Sequence, residues 1–376
     1  MASIRVKPEI KQNLAILAKE LKIDEALLIS ANQRAGKTEL FCPGIWIGEG
    51  SDAPIETIQE LKRFLDTCQS IQPENEWLRE EKAYDFQAAE EEIEKIIDVF
   101  PFVTYRSIGR SVLGRPLYEL SVGAENALKK VHMNASFHAN EWITTSVLLK
   151  WFKEYCMALC ENQPFFQFSP LKLFSQTSLS VVPLVNPDGV DLVLHGSGFA
   201  GERQDFLNTL NEQRTHFNEW KANINGVDLN KQFPSLWEIE KHRKPKEPSF
   251  RDFPGTAPLT EPEAMAMQRL ITDYPPDRLI ALHTQGEEIY WGYKGLEPEE
   301  SARVVKDFEV LSGNCYKGIR DIDSYAGYRD WFIHHYFKEG YTVELGKGKN
   351  PLPFYQFPDI YEVTNGILWR SLFFHE

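Results

Sequence analysis

The chain has 376 residues, 42% hydrophobic and 26% charged, which is enough for one large globular domain or two unequal ones. Its 41 basic and 55 acidic residues give a formal net charge of -14, which argues against nucleic acid or an anionic membrane as the main partner. No apolar run approaches the roughly 18 residues of a membrane-spanning helix, and the N-terminus shows no apolar stretch typical of a secretory signal.

The N-terminal residues 1–49 are predicted to form a small separate unit with the order strand, helix, helix, strand. The expected strands are 4–7 and 45–47, and helix spacing of apolar residues covers 13–21 and 25–31. The order, with V-K-P at 6–8 and G-I-W-I at 44–47, resembles the LysM cell-wall-binding module. Glu9-Ile10-Lys11 replaces the usual Gly-Asp-Thr after V-K-P. The unit is therefore interpreted either as a glycan-binding module or as a small cap without a ligand.

An acidic segment, 50–82, is predicted to be a linker, and a large second domain is predicted at 83–376. This domain opens with a helix at 86–100 that stops at Pro101. Beyond it, strand-like apolar runs alternate with amphipathic segments, which predicts an α/β fold: a mixed, mostly parallel central sheet with helices on both faces. The predicted strands are 117–122, 131–137, 179–185, 279–282 and 342–345, and the predicted helices include 141–159 and 261–271, the latter with Thr260 and Glu263 as a capping box.

Three separated residues, His138, Glu141 and His283, carry the strongest chemical signal. His138 and His283 each end an apolar run, and Glu141 lies at the start of a helix-like segment. Two imidazoles and one carboxylate are the ligand set of a catalytic zinc, which keeps a coordination position open for water. Glu344 ends another apolar run. Because ligands bind beyond the carboxyl ends of strands in an open α/β sheet, these four side chains are expected to converge.

A structural interpretation competes with this metal site. His138 alone is typical of a buried, hydrogen-bonded histidine, and Glu141 alone of a carboxylate favoured by a helix N-terminus. H-x-x-E is weak by itself and much stronger when a strand-end histidine and a strand-end glutamate follow it. His132 precedes His138 on the same predicted strand, roughly 20 Å away, and is not expected to be a ligand.

Further motifs extend from about Tyr84 to the C-terminus. They are I-G-R-S-V-L-G-R-P-L at 108–117, N-P-D-G at 186–189, G-V-D-L-N-K-Q-F at 226–233, H-T-Q-G-E-E-I-Y-W at 283–291, S-Y-A-G-Y-R-D-W at 324–331 and T-V-E-L-G at 342–346. Together they resemble the M14 zinc carboxypeptidase family. F-H-A-N-E-W at 137–142 and W-K-A-N-I-N-G-V-D-L-N at 220–230 look most similar to its bacterial γ-D-glutamyl-L-diamino acid endopeptidases, which cut cell-wall peptides and some of which carry LysM modules.

The resemblance implies roles for individual residues. It makes His138, Glu141 and His283 the ligands of one zinc ion per chain, and Glu344 the general base. Asn230 matches an asparagine that contacts the terminal carboxylate of the substrate. The next family position is usually arginine and here is Lys231, which keeps the charge but loses the bidentate fork.

Three more positions are implied as substrate contacts. Lys221 aligns with a second cationic contact. Arg329 matches the base of the specificity pocket, where it would favour a carboxylate in the substrate side chain, such as that of diaminopimelate; a surface arginine paired with Asp330 is the alternative. Tyr325 and Tyr328 compete for the mobile active-site tyrosine, and Tyr325 is preferred.

The favoured function is a zinc metallopeptidase that hydrolyses murein peptides at the γ-D-glutamyl–diamino acid bond. The alternatives are a carboxypeptidase acting on ordinary or acidic C-termini, and a catalytically silent wall-binding protein. The expected partners are murein peptide and, through the N-terminal unit, peptidoglycan glycan. The odd number of cysteines, 5, without a C-x-x-C pair favours a reducing cytosol. The alternative is a cell-wall or spore location after release from a mother cell during sporulation.

Overall fold

The computed structural model describes residues 3–6, 40–43, 67–68, 71–124, 127–161 and 170–374. In the N-terminal unit, strand β1 (Ser3–Val6) pairs antiparallel with strand β2 (Leu40–Pro43). The first of these overlaps the strand predicted at 4–7. The predicted helices at 13–21 and 25–31 and the predicted strand at 45–47 lie outside the described residues.

A mixed sheet of 8 strands forms the centre of the described part of the larger domain. The strands are β3 (Thr104–Arg110), β4 (Pro116–Val122), β5 (Lys129–Asn134), β6 (Thr177–Val182), β7 (Arg278–Thr284), β8 (Glu288–Tyr290), β9 (Lys317–Ile319) and β10 (Glu339–Leu345). Their order across the sheet is β3-β4-β6-β5-β7-β10-β8-β9. The central strands β6, β5, β7 and β10 are parallel, and antiparallel pairs flank them. The predicted mixed α/β sheet is therefore confirmed.

Helices cover both faces of this sheet, as the sequence predicts. On β7, Ile280 and Leu282 face one apolar core, and Leu279 and Ala281 face another. Because both faces are covered, the central strands are nearly apolar throughout. Among the described helices, none combines the length and apolarity needed to cross a bilayer. The helices are α1 (Asn75–Arg79), α2 (Phe86–Val99), α3 (Ile143–Glu161), α4 (Pro170–Gln176), α5 (Pro187–His195), α6 (Gln204–Leu210), α7 (Trp237–Arg243), α8 (Pro262–Asp273), α9 (Ser301–Leu311), α10 (Tyr328–Tyr336) and α11 (Phe357–Ser371).

Four of the described strands are not among those predicted: β2 in the N-terminal unit, and β3, β8 and β9 in the large sheet. β3 lies at one edge of the sheet and is mostly exposed, so it lacks the apolar run that predicts a strand. β8 and β9 have three residues each and form the opposite edge. Short or exposed edge strands are stabilised by pairing with a neighbour, which leaves little pattern in their own sequence.

Two predicted helix starts are wrong in detail. The helix predicted at 141–159 begins as a separate 3-10 turn, Ala139–Glu141, and α3 starts only at Ile143. The capping box of α8 does not form, because Glu261 and not Thr260 is the N-cap residue and no side chain accepts a capping hydrogen bond. Thr260 donates instead to Gln232, and Glu263 accepts from the amide of Val112.

The described end of the segment predicted as a linker packs onto the large domain. The side chain of Trp77 in α1 is 4% exposed and belongs to the largest of the three apolar cores. Its carbonyl accepts a 3.0 Å hydrogen bond from the buried Lys153 of α3. Residues around α1 therefore contribute to the core that supports the sheet.

Candidate metal centre

The parallel strands of the sheet bring the predicted metal ligands to one edge. His138 follows β5 after a short loop, and His283 is the penultimate residue of β7. Glu344 is the penultimate residue of β10 and pairs in register with His283. Since β5, β7 and β10 are parallel, all three positions lie near the same carboxyl edge.

A tight turn after β5 places Glu141 beside His138. Ser136 adopts a left-handed backbone with φ 52°, and its amide donates to the hydroxyl of Thr144 over 2.9 Å. That hydroxyl donates in turn to the carbonyl of Glu141 over 2.7 Å. These side-chain bonds replace the first backbone bonds of a longer helix, so Glu141 belongs to a separate turn that folds back toward His138.

The three predicted ligands converge on one point. His138 Nδ1 lies 2.8 Å from Glu141 Oε1, and His283 Nδ1 lies 2.9 Å from Glu141 Oε2. The two Nδ1 atoms are 3.3 Å apart, and all three side chains are buried. The candidate ligand atoms lie within 4.8 Å of one another, so a single ion can contact all of them.

The protonation pattern suits a cation. Asp228 Oδ1 lies 3.3 Å from His138 Nε2. Burial disfavours the charge of Asp228, but His138 and Lys221 outweigh it and hold the pKa of this carboxyl below its usual range. Burial disfavours the charge of His138, but Glu141 and Asp228 outweigh it and raise its pKa to about 9, so without an ion its Nδ1 donates to Glu141. A metal ion bound at Nδ1 would take the place of that proton, and Asp228 would hold the remaining Nε2 proton and orient the ring.

The spacing of the two imidazoles also fits zinc. Two nitrogens at the usual zinc distance of about 2.0 to 2.1 Å, separated by a tetrahedral angle, lie roughly 3.3 Å apart. The Nδ1 atoms of His138 and His283 have that separation, 3.3 Å. The nitrogen–oxygen pairs are closer, at 2.8 and 2.9 Å, as expected for hydrogen-bonded atoms.

Glu344 and Lys221 lie beside this cluster. Burial and the nearby Glu141 carboxylate raise the pKa of Glu344 to about 8. Lys221 Nζ lies 3.4 Å from Glu141 Oε1. Burial disfavours the charge of Lys221, but Glu141, Asp228 and Glu344 outweigh it and raise its pKa, so Lys221 remains a cation.

Asn230 lies two residues after Asp228, the acid that contacts the candidate metal ligand His138. It belongs to the 3-10 turn Leu229–Lys231, which is capped by the side chain of Asp228. Asp228 Oδ1 accepts a 3.0 Å hydrogen bond from the amide of Asn230, and Asn230 Oδ1 accepts one of 2.9 Å from the amide of Tyr328. Asp228 thus connects the candidate metal ligand His138 to the predicted substrate contact Asn230.

Lys231 and Tyr325 lie together, but each already has protein partners. Lys231 Nζ donates to Ser324 Oγ over 2.6 Å and to the carbonyl of Tyr325 over 3.3 Å, and it lies 3.4 Å from Glu240. The hydroxyl of Tyr325 accepts a 3.0 Å bond from Lys294. A substrate carboxylate would have to share Lys231 with Glu240.

Arg329 is buried rather than on the surface. Its Nε and Nη2 atoms donate to Asp330 Oδ1, whereas Nη1 has no hydrogen-bond partner in the part of the chain that the structure describes. Tyr328 is 0% exposed. That burial removes Tyr328 as a mobile tyrosine and leaves Tyr325 as the candidate.

A cleft of about 380 Å³ opens beside Glu344 and contains residues that sequence reasoning missed. Lys221 lines it, as do the newly found Asn140, Arg251, Tyr290 and Asn350. Asn140 has a sequence signal, because it lies between His138 and Glu141. Tyr290 lies in the motif at 283–291, although it was not singled out as a site residue. Arg251 has no such signal, since its place in the cleft depends on contacts between distant segments.

Comparison with known proteins gives the class of this protein. The zinc carboxypeptidase family, Peptidase_M14, matches residues 89–365. The chain therefore belongs to the zinc carboxypeptidase family and is a zinc metallopeptidase, with zinc as its metal.

Two relatives and one solved structure illustrate its similarities. The chain is 73% identical over 376 residues to the Bacillus subtilis (strain 168) "Uncharacterized protein YqgT", with 100% of each covered. It is 45% identical over 290 residues to "Gamma-D-glutamyl-L-diamino acid endopeptidase 1" of Lysinibacillus sphaericus, covering 77% of this chain and 72% of that one. Thrombin activatable fibrinolysis inhibitor shares the fold, with a TM-score of 0.62 and 20% identity over 84% of this chain and 79% of that one.

Proposed function

We propose that this metallopeptidase hydrolyses cell-wall peptides at the bond between the γ-carboxyl of D-glutamate and a diamino acid. The observation that carries the proposal is the 45% identity to the Lysinibacillus sphaericus γ-D-glutamyl-L-diamino acid endopeptidase over 77% of this chain. The side chains around the metal centre supply what hydrolysis of such an amide requires.

His138, Glu141 and His283 would hold the zinc ion, with Asp228 orienting His138. Zinc bound there supplies a Lewis acid that polarises a carbonyl and makes water more acidic. Glu344 accepts the proton of the attacking water and passes it to the leaving amine. Its position opposite His283 in the β7–β10 pair keeps this carboxylate within the same small site.

Lys221 is suited to stabilise the negative charge that develops on the scissile carbonyl oxygen. Its ammonium is held next to Glu141 at 3.4 Å and lines the cleft that Glu344 also faces. A cation fixed in place before reaction stabilises a developing oxyanion without reorganisation.

The diamino acid would occupy the side of the site near Asn230, Lys231 and Tyr325. Lys231 offers a single point charge that Glu240 already shares, which favours weaker recognition of an ordinary C-terminal carboxylate than a free arginine would give. The buried Arg329 has no partner for Nη1 among the described residues, and a carboxylate in the substrate side chain that reached this nitrogen would satisfy it.

Digestion of the tripeptide L-Ala-γ-D-Glu-diaminopimelate tests the proposal. Mass analysis is expected to show free diaminopimelate and L-Ala-D-Glu as the products, with slower cleavage of the same tripeptide carrying lysine. The zinc-loaded protein should act poorly on blocked dipeptides with an ordinary C-terminus. Rapid hydrolysis of the dipeptides with an intact tripeptide would instead identify a general carboxypeptidase.

A further inference from the structure

Three cations line the cleft beside Glu344, and they differ in what already neutralises them. Lys221 Nζ lies 3.4 Å from Glu141, and Lys349 Nζ lies 2.9 Å from Glu219. Arg251 Nε donates to the sequence neighbour Asp252 over 3.0 Å. In the described residues no hydrogen bond is found for the two terminal nitrogens of Arg251, so its guanidinium has donors left for a ligand.

Backbone hydrogen bonds hold Arg251 next to Lys221. The carbonyl of Phe250 accepts from the amides of Lys221 and Ala222, over 2.8 and 3.1 Å. At the other end of this short segment, the carbonyl of Phe253 accepts from the amide of Asp228 over 2.8 Å. These hydrogen bonds on both sides of Arg251 fix its backbone relative to the segments that carry Lys221 and Asp228.

The backbone between Phe250 and Phe253 is bent. Asp252 has a left-handed φ of 66°, a conformation that Asp adopts more readily than most residues. The side chain of Arg251 lines the cleft and is 44% exposed. A partly exposed guanidinium on a fixed backbone is well placed to bind an anion from solvent.

The chemistry of a γ-glutamyl bond supplies such an anion close to the reacting carbonyl. When the side-chain carboxyl of glutamate forms the amide, its α-carboxyl remains free and ionised, only a few carbons from the scissile bond. In an ordinary α-linked peptide the α-carboxyl is consumed by the bond. A guanidinium matches a carboxylate with two parallel hydrogen bonds.

We propose that Arg251 binds the free α-carboxylate of the γ-linked D-glutamate and thereby selects γ-glutamyl bonds. This inference rests on the proposed function. It assigns Arg251 to the acyl side of the substrate, whereas Arg329, Asn230 and Lys231 serve the diamino acid on the leaving side. The site would then bind a substrate carboxylate on each side of the scissile amide.

A pair of isosteric substrates tests this assignment. One is L-Ala-γ-D-Glu-diaminopimelate, and the other carries an α-carboxamide in place of the free α-carboxylate. The wild-type zinc enzyme is expected to prefer the acid about 10- to 100-fold in kcat/KM, the range for a hydrogen-bonded charge pair. Arg251→Gln should lower kcat/KM for the acid far more than for the amide and bring their ratio close to one. Arg251→Lys should restore part of the preference.

Lys349→Gln is the matched control, because Lys349 lines the same cleft but is already paired with Glu219. It should change both substrates by the same factor and leave their ratio as in the wild type. Equal slowing of both substrates by Arg251→Gln, with zinc content and folding unchanged, would show a structural role and overturn the inference. Wild-type cleavage of both tripeptides at one rate also overturns it while leaving the proposed function intact. If neither tripeptide is cut, the proposed function fails and the inference fails with it.

Discussion

Two buried histidine clusters are built around strand β5 and the loop that follows it, and they differ in how many metal-binding groups converge in each. His132 lies within β5, and His138 follows the carboxyl end of that strand. In the first cluster, Arg106 Nε donates to Glu119 over 2.6 Å and Ser180 Oγ donates to Glu119 over 2.7 Å. His132 Nδ1 lies 3.0 Å from Ser180 Oγ.

In the His132 cluster every contact joins a donor to an acceptor. Glu119 accepts from two groups, so Ser180 must use its hydroxyl hydrogen on Glu119 and accept from His132 Nδ1. Burial lowers the pKa of His132 to about 3, so this imidazole is neutral at physiological pH. None of these contacts requires an ion, and His132 Nε2 has no hydrogen-bond partner among the described residues.

In the His138 cluster, three groups that can bind a metal converge on one point. Two Nδ1 atoms lie 3.3 Å apart, and both oxygens of Glu141 point at them. A histidine that meets one hydroxyl stabilises the fold, whereas two imidazoles and a carboxylate within reach of a single ion indicate a metal site. Sequence composition alone does not separate the two cases, because each contains a histidine and a glutamate on neighbouring elements.

The largest effect is expected when the proton acceptor beside the metal cluster is neutralised. Glu344→Gln keeps the shape of the side chain but cannot accept a proton from water. The turnover number kcat on the tripeptide substrate should fall about 10²- to 10⁴-fold, while zinc content measured by elemental analysis stays at one ion per chain.

The corresponding substitution in the other cluster provides the control. Glu119→Gln alters a buried carboxylate that contacts no candidate metal ligand in the structure, and kcat should stay within a few-fold of the wild type. If the purified Glu344→Gln variant turned over substrate at the wild-type rate, Glu344 would have no part in proton transfer.

A smaller effect is expected from the acid that orients His138. Asp228→Asn removes the charge that holds the Nε2 proton of His138, which makes Nδ1 a weaker ligand. The dissociation constant for zinc should rise about 10- to 100-fold, measured by competition with a chromophoric chelator. Glu119→Gln should leave this constant unchanged. An equal loss of zinc affinity in both variants would mean that general destabilisation, not the bond to His138, is being measured.

The metal ligands were predictable because of where they stand in the sequence. His138, His283 and Glu344 each come at or just after the end of an apolar run, and such runs form the buried parallel strands. The sheet then brings strand ends together regardless of their separation along the chain. The central strands and both helical layers follow from the same patterns.

Other parts of the site have no comparable signal. Arg251 lies in a polar segment without periodicity, and its place in the cleft depends on backbone bonds from Phe250 to Lys221 and Ala222. The late start of α3 depends on Thr144 bonding to Ser136 and Glu141. Such contacts join side chains or backbone groups across turns, so they are specified by the folded geometry and not by spacing in the sequence.

The smallest effect is expected in the His132 cluster, and it concerns the pH dependence of stability. His132 has a pKa of about 3 in the folded protein, against about 6.5 when unfolded. Between these values the unfolded chain binds one more proton, so the free energy of unfolding should fall as the pH drops below about 6.5, by up to about 1.4 kcal/mol per pH unit. His132→Asn cannot titrate and should lose this part of the acid sensitivity.

Urea unfolding of both metal-free proteins at pH 6.5 and pH 5.0 measures the difference, and His138 and His283 contribute equally to both. The gap between wild type and variant should change by about 2 kcal/mol over that interval. If the free energies of unfolding of wild type and His132→Asn changed equally with pH, His132 would not be a buried, neutral imidazole.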